Sequence, residues 1–198
     1  IKPIRPMLEK IDSIETFADW IRVSGELDRV GVPNAFGVYI DQDAKQSDRY
    51  AVHVVQSGLS LPDRDYYLVD EGRYRDALEA LRNYAGDMLL AAGVDAAEAS
   101  GRASDVVELE GKLAKVQWSQ VELRNPIKTY NKVQVEDFAT AHPNLHWASF
   151  CSSVGLPSSG DLIVGQPSYF KAIDELSQQI ELGTWKDYLR LRVVDAYA

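Results

Sequence analysis

The sequence predicts a mainly α fold: a helical lobe with one long antiparallel helix pair and a single β-hairpin. The strongest observation is an apolar stripe at helical spacing from Tyr74 to Ala92, followed by Gly93, a residue typical of helix C-termini. A second stripe at helical spacing covers residues 106–116. Alternation of β type is confined to residues 36–55, so helices are expected to form most of the core.

The amino-terminal segment predicts two helices. A short helix is expected after Pro6. A longer one is expected to begin near Asp12, because Asp12 and Glu15 have the spacing of a capping box, and to end by Gly31.

Residues 32–58 predict the β-hairpin. Its strands are expected over Phe36–Ile40 and Tyr50–Val55, where β-branched and aromatic residues alternate with others. The polar stretch 41–48 between them predicts a long loop.

Residues 70–120 predict the helix pair. After Gly93, Asp95 and Glu98 have the spacing of a second capping box, and the helix that they open is expected to reach about Gln120. Because the connection at Gly93 and Val94 is short, the two helices are expected to lie antiparallel.

Prolines interrupt the chain after residue 121, and three shorter helices are predicted there, over 135–141, 147–154 and 168–180. A last helix is predicted to open with a box formed by Thr184 and Asp187. It meets no stop signal before Ala198, and the chain does not begin with methionine, so we expect residues 1–198 to be one fragment of a longer protein.

The composition excludes several classes of function. The net charge is −9 and the sequence has no basic cluster, so no nucleic acid partner is expected. No apolar run reaches the roughly 20 residues that cross a bilayer, and no secretory leader pattern opens the chain. The lone Cys151 cannot form an internal disulfide and is expected to be a small buried or half-buried residue.

The three histidines do not predict a catalytic or metal site. None of them is followed by glutamate, and Pro143 disfavours a continuous helix that would carry both His142 and His146 as ligands. His53 lies in the second strand of the hairpin, where a partly buried structural role is expected. A self-sufficient hydrolase would require His53 to converge with Asp or Ser partners in one pocket. We therefore assign no catalytic and no metal-binding residue.

Several motifs occur in a distinctive order. They are the run Gly58-Leu59-Ser60-Leu61-Pro62-Asp63-Arg64-Asp65-Tyr66-Tyr67-Leu68, then Val107-Glu108-Leu109-Glu110-Gly111-Lys112-Leu113-Ala114, Arg124-Asn125-Pro126 with Tyr130-Asn131, Gln166-Pro167-Ser168-Tyr169-Phe170, and Tyr188-Leu189-Arg190. In this order they resemble the amino-terminal region of the neprilysin and endothelin-converting-enzyme family of zinc metallopeptidases.

The resemblance implies a function for the parent protein. In that family the zinc-binding His-Glu-x-x-His helix lies in the carboxy-terminal half, so zinc is expected in the parent enzyme and none in this fragment. The fragment would be a non-catalytic lobe that encloses the cavity of a zinc metalloendopeptidase and restricts access to oligopeptides. Its partners would be the catalytic carboxy-terminal lobe of the same polypeptide and oligopeptide substrates, in a periplasmic or extracellular location. An alternative is a helical protein- or peptide-binding module without peptidase activity.

The polar motifs allow a functional and a structural interpretation. The Asp63–Tyr67 cluster either binds peptide in the cavity or fastens the hairpin to the following helix, with Arg64 between carboxylates or carbonyls, and we favour the second. The cluster of Arg124, Asn125, Tyr130 and Asn131 is likewise expected to cap a turn. The substrate-binding residues are therefore unknown.

Two expectations concern burial. Glu108 and Glu110 are expected at the solvated surface of the second long helix. A lobe that docks against another is expected to expose an apolar or aromatic patch, which we expect to include some of Trp118, Trp147 and Trp185.

Overall fold

The computed structural model describes residues 2–197, and their mainly α-helical fold with one small sheet confirms the predicted fold class. The helices are α1 (Arg5–Asp12), α2 (Phe17–Asp28), α3 (Asp65–Leu68), α4 (Gly72–Ala91), α5 (Ala99–Val116), α6 (Gln120–Leu123), α7 (Val135–Ala141), α8 (Trp147–Val154), α9 (Pro167–Gln179) and α10 (Leu182–Tyr197). The strands are β1 (Phe36–Asp43), β2 (Gln46–Gln56), β3 (Asn131–Gln134) and β4 (Asp161–Val164).

The start of α2 differs from the prediction. The helix is capped by Thr16, whose hydroxyl accepts the backbone N–H of Asp19 (3.1 Å) while the Asp19 carboxylate accepts the N–H of Thr16 (3.0 Å). The predicted box of Asp12 and Glu15 is wrong, because Asp12 is the last residue of α1.

The hairpin is part of a four-stranded sheet with the order β1-β2-β4-β3. β1 and β2 pair antiparallel and extend to a turn at residues 44–45, so most of the predicted loop is strand. β2 pairs parallel with β4, and β4 pairs antiparallel with β3. The sequence did not predict β3 and β4, which are too short, at four residues each, to show a period.

Helices α4 and α5 pack against each other. α4 ends as predicted at Gly93, which has φ +95°, with hydrogen bonds from the N–H of Gly93 to the carbonyl of Leu90 and from Val94 to Leu89. These two bonds form the Schellman motif that glycine favours at a helix C-terminus.

The second long helix is shorter than predicted at both ends. Residues 95–98 form a turn in which the Asp95 carboxylate accepts the N–H of Ala97, so the predicted box of Asp95 and Glu98 is wrong. The helix ends at Val116 because the next residue is extended, and Ser119 and Glu122 then form a capping box for α6.

The last helix occupies the centre of the fold. α10 contacts α1, α2, α4 and α5, and its Trp185 and Tyr188 are fully buried. The indole N–H of Trp20 on α2 donates to the carbonyl of Trp185 (2.7 Å), and the two rings meet edge to face. α10 begins two residues before Thr184, so Thr184 is not its cap and the predicted terminal box is wrong.

Candidate functional site

The buried carboxylate of Glu110 binds residues of the sequence run that begins at Gly58. Glu110 lies on α5 with its side chain fully buried. It accepts hydrogen bonds from the N–H (3.0 Å) and hydroxyl (2.8 Å) of Ser60, from the phenol of Tyr67 (2.5 Å) and from the guanidinium of Arg192 (2.7 Å). We call Glu110, Arg192, Tyr67 and Ser60 the buried hub. It joins α5, α10, α3 and the loop that follows β2.

The expected position of Glu110 was therefore wrong. The neighbouring Leu109, Leu113 and Ala114 on α5 are buried, and Glu110 lies on the same buried side of the helix. Glu108 is exposed as expected and pairs with Lys112 (2.8 Å).

The buried hub also contacts the backbone carbonyl of Gly58. The carbonyl of Gly58 accepts from Arg192 (2.6 Å) and from the phenol of Tyr188 (3.0 Å). Gly58 has φ +94°, and a Cβ atom there would lie 2.7 Å from the Cα atom of Ala35. Only glycine therefore fits this position without displacing its neighbours.

The Asp63–Tyr67 cluster joins its segment of the chain to α4 and to the end of α5. Arg64 donates to the backbone carbonyl of Gln117 at the end of α5, the second of the two kinds of partner that the sequence suggested. Tyr66 meets the ring of Tyr74 on α4 edge to face at 5.0 Å. Burial and the charge of Glu110 raise the pKa of Tyr67 well above its usual range, so its phenol stays protonated and donates.

The second predicted cluster also forms a turn. The side-chain oxygen of Asn125 accepts the N–H groups of Ile127 and Lys128 (both 3.1 Å). The amide of Asn131 donates to the carbonyls of Lys128 (2.7 Å) and Val164 (3.0 Å), while Arg124 is exposed at the end of α6. These contacts fix the path of the chain from α6 into β3.

Sequence reasoning missed an ion pair beside this turn. The buried carboxylate of Asp43 at the tip of β1 accepts from Lys132 (2.9 Å) and from the phenol of Tyr130 (2.8 Å), and Lys132 also contacts Asp161 (2.8 Å). The hydrogen bond from Lys132 holds the pKa of Asp43 well below its usual range. No local spacing could have indicated it, because the partners lie on strands far apart in sequence.

The face of the sheet that points away from the helical core carries a groove of about 430 Å³. Its apolar lining includes Tyr39, Val55, Leu123, Pro126 and Ile163, and it also contains His53. We call it the sheet-side groove. The imidazole of His53 stacks on the ring of Tyr39, with 4.9 Å between the ring centroids. The Nε2 atom of His53 has no hydrogen-bond partner among the described residues, and burial lowers the pKa of the imidazole.

Exposed apolar side chains lie on the hairpin and near the rim of this groove. Ile40 and Tyr50, near the tip of the hairpin, are 61% and 79% exposed. Val121 and Ile127, which flank the groove residues Leu123 and Pro126, are 78% and 80% exposed. Ile40 and Tyr50 point to the same face of the hairpin as the core residues Val52 and Val54, whereas Tyr39 points to the groove. We therefore call Val121, Ile127 and Tyr39 the hairpin-side surface. Of the three tryptophans considered for an exposed patch, Trp147 and Trp185 are buried in the core and Trp118 is half-buried.

The residues present do not fit a zinc site. Within residues 2–197, no group of three or more His, Cys, Asp or Glu side chains converges as a metal would need. His142 is half-buried against Phe138, and its Nδ1 lacks a partner among the described residues. His146 adopts a left-handed conformation before α8, and Cys151 is buried. None of the helices described is both long and apolar enough to cross a membrane.

Comparison with known proteins gives one consistent family. A family model described as peptidase family M13 matches residues 1–198. Endothelin-converting enzyme 1 of Cavia porcellus is 27% identical over 187 residues, which cover 88% of this chain and 24% of the relative. Neprilysin-11 of Caenorhabditis elegans is 26% identical over 181 residues, covering 84% of this chain and 21% of the relative.

Solved structures agree with this grouping. The chain matches a zinc metalloprotease of Mycobacterium tuberculosis in complex with an inhibitor over its whole length, with 31% identity and a TM-score of 0.93, and covers 30% of that chain. A protein named PepO from Lactobacillus rhamnosis shares the fold, with a TM-score of 0.77 at 17% identity over 98% of this chain and 30% of that chain. The chain spans about a quarter of the length of the curated relatives described.

Proposed function

Because the chain belongs to peptidase family M13 and corresponds to the amino-terminal region of its members, we propose that it is one lobe of a zinc-dependent metalloendopeptidase that cleaves oligopeptides. In this proposal the lobe forms part of the wall of the substrate cavity. The zinc and its ligands belong to the catalytic carboxy-terminal lobe of the same polypeptide. The residues of this chain bind and position and do not carry out the chemistry.

The observation that carries the proposal is the hairpin-side surface. An exposed apolar patch on a soluble domain marks a place where another surface packs. Here Val121 and Ile127 are 78% and 80% exposed and Tyr39 is 47% exposed, while Trp20, Trp147 and Trp185 are buried in the core. We propose that the catalytic lobe covers this surface and that the adjoining sheet-side groove then lies at the edge of the cavity.

An enclosed cavity explains the expected choice of substrate. A folded domain of 100 residues is on the order of 25 Å across, whereas an extended peptide passes through a much narrower opening. We propose that the parent therefore cleaves oligopeptides and spares folded proteins. We further propose a periplasmic or extracellular location, which rests on the family resemblance and would be tested by fractionation of the source cells.

The proposal is tested by comparing this chain with the same chain extended to its natural carboxy terminus. We expect hydrolysis of a quenched fluorescent peptide only by the extended protein, abolished by a chelator and restored by zinc. A folded protein of similar cleavage-site composition should remain intact until it is denatured. Chelator-insensitive hydrolysis by the short chain would contradict the proposal, and no hydrolysis by either would favour a binding module.

The role of the hairpin-side surface has its own test. Ile127→Ser in the extended protein should raise peptidase activity toward longer peptides or weaken the association of the lobes, because it removes buried apolar area from their contact. Leu90→Ser is the matched control, since Leu90 is a 44% exposed leucine on α4, outside this surface. Equal behaviour of the two variants would argue against the proposed docking surface.

A further inference from the structure

A larger groove lies between α2 and α8, where the proposed peptidase function assigns no role. Its volume is about 900 Å³, and the end of α1 contributes to its lining. The two helices approach closely because α2 carries Gly25 at the crossing, where a Cβ atom would collide with the side chain of Ser153. The groove is therefore formed by the packing of the helices and not by a loop.

The charge of this groove is opposite to that of the chain. Lys10, Arg22 and Arg29 line it together with a single carboxylate, that of Glu26. Glu26 is shared, since it accepts from Lys10 (2.6 Å) and from Arg22 (2.8 Å). Arg22 also lies 3.7 Å from Asp19. Positive charge thus remains in excess here, on a chain whose net charge is −9.

Arg29 is the cation of the groove that is available to a ligand. It follows the last residue of α2 and is exposed, and its guanidinium forms no hydrogen bond or ion pair with the residues that the structure describes. An unpaired guanidinium presents five donors in a planar arrangement that suits carboxylates.

The opposite wall adds uncharged donors and acceptors. α8 contains no acidic or basic residue, and it presents the exposed hydroxyls of Ser149 and Ser152 to the groove. Such hydroxyls can donate to carbonyls and accept from N–H groups of a backbone. One wall therefore offers cations and the other offers hydroxyl groups.

We propose that the groove between α2 and α8 binds an extended acidic peptide segment, whose carboxylates pair with Arg29, Arg22 and Lys10 and whose backbone bonds to the serine hydroxyls of α8. The volume favours a peptide over one small anion, because pockets of roughly 300–1,000 Å³ hold ligands of many atoms. This activity goes beyond the proposed peptidase function, since it resides in this chain and requires no zinc.

The test measures fluorescence polarisation of a labelled hexaglutamate peptide with the 198-residue chain at low salt. We expect saturable binding that weakens steeply as salt is added, and no binding of hexaglutamine. Arg29→Glu should weaken binding roughly tenfold or more, because it replaces an attraction by a repulsion. The matched control is Arg82→Glu, which makes the same charge change at an exposed arginine on α4, outside the groove, and should alter binding by less than about twofold.

A third variant predicts a gain. Glu26→Gln removes the carboxylate that occupies Lys10 and Arg22, so hexaglutamate should bind several-fold more tightly. A merely structural role of these contacts predicts no such gain. Thermal unfolding of each variant shows whether it is folded, and Arg29→Ala serves as the milder substitution if Arg29→Glu is not.

Three results would overturn the proposal. Equal weakening by Arg29→Glu and Arg82→Glu would reduce the binding to general electrostatics. Displacement of the peptide by inorganic phosphate that is much stronger than displacement by chloride at the same ionic strength would indicate a site for a single anion. Binding to phosphatidylglycerol vesicles that Arg29→Glu abolishes, without binding of hexaglutamate, would assign the groove to a membrane surface.

Discussion

Replacement of Glu110 by alanine is expected to cost this chain a large part of its stability. Glu110 is fully buried and Arg192 is only 4% exposed, so the variant leaves a guanidinium in the core without its carboxylate. Removing one partner of a buried ion pair typically costs about 3–5 kcal/mol. Ser60 is exposed, so the loss of its acceptor adds little, whereas the partly buried phenol of Tyr67 also loses its acceptor and adds to the cost.

The loss can be read from urea unfolding followed by tryptophan fluorescence. With a slope of about 2 kcal/mol per molar urea, a cost of about 3–5 kcal/mol moves the midpoint down by roughly 1.5–2.5 M. Native single domains have a free energy of unfolding of about 5–15 kcal/mol. If the value for this chain is at the lower end of that range, the variant is expected to be partly unfolded without denaturant.

Two comparisons separate the ion pair from other effects. Glu108→Ala removes an exposed glutamate two residues away on the same helix and should leave the midpoint unchanged. Glu110→Leu combined with Arg192→Met should recover at least about 1 kcal/mol relative to Glu110→Ala, because no buried charge then remains unpaired. A midpoint shift below about 0.5 M for Glu110→Ala would refute the reasoning.

Three further outcomes are expected. Burial lowers the pKa of His142 in the folded chain, so the unfolded chain binds more protons below about pH 6.5. The free energy of unfolding should therefore fall as the pH drops through that value. In urea unfolding between pH 7.5 and 5.5, His142→Phe should make the free energy of unfolding depend less on pH. Gly58→Ala should lower the free energy of unfolding by about 2–5 kcal/mol, because it combines a strained φ with a collision against Ala35. Gly155→Ala, with φ +78° and open space around it, should lower it by only about 1–2 kcal/mol. Equal losses for the two variants would contradict the steric argument. Burial raises the pKa of Cys151 to about 11, so its thiol should resist alkylation at pH 8 in the folded chain and react in denaturant, and rapid reaction in the folded state would contradict its burial.

The sequence predicted helix bounds well where helix-breaking residues lie next to the helix. Prolines and polar residues isolate the segments 135–141 and 147–154, and both helices have the predicted bounds. Gly93 ended α4 as predicted, because its conformation is a property of a few adjacent residues. Capping boxes were less reliable, since the Asp12–Glu15 and Asp95–Glu98 spacings occur without the geometry of a helix start.

Long-range contacts account for what the sequence could not predict. β4 forms a strand through its parallel pairing with β2, about a hundred residues earlier, and its antiparallel pairing with β3. Glu110 and Arg192 lie 82 positions apart, and neither helix pattern indicates that two charged residues meet in the core. The excess of positive charge between α2 and α8 likewise arises from separate places in the sequence, Lys10 on α1 and Arg22 and Arg29 on and just after α2.

The central position of α10 has a consequence for how the chain folds. The hydrogen bond from Trp20 to Trp185 joins residues 165 positions apart, and α10 also packs against three other helices besides α2. Contacts of such sequence separation form slowly, because the intervening chain must first be closed into a loop. At a synthesis rate of about 5–20 residues per second, α2 emerges from the ribosome roughly ten to thirty seconds before its partner exists. Until α10 has emerged, the apolar faces of α1, α2 and the α4–α5 pair have no α10 to cover them, so we expect chaperones to bind the nascent chain during that time.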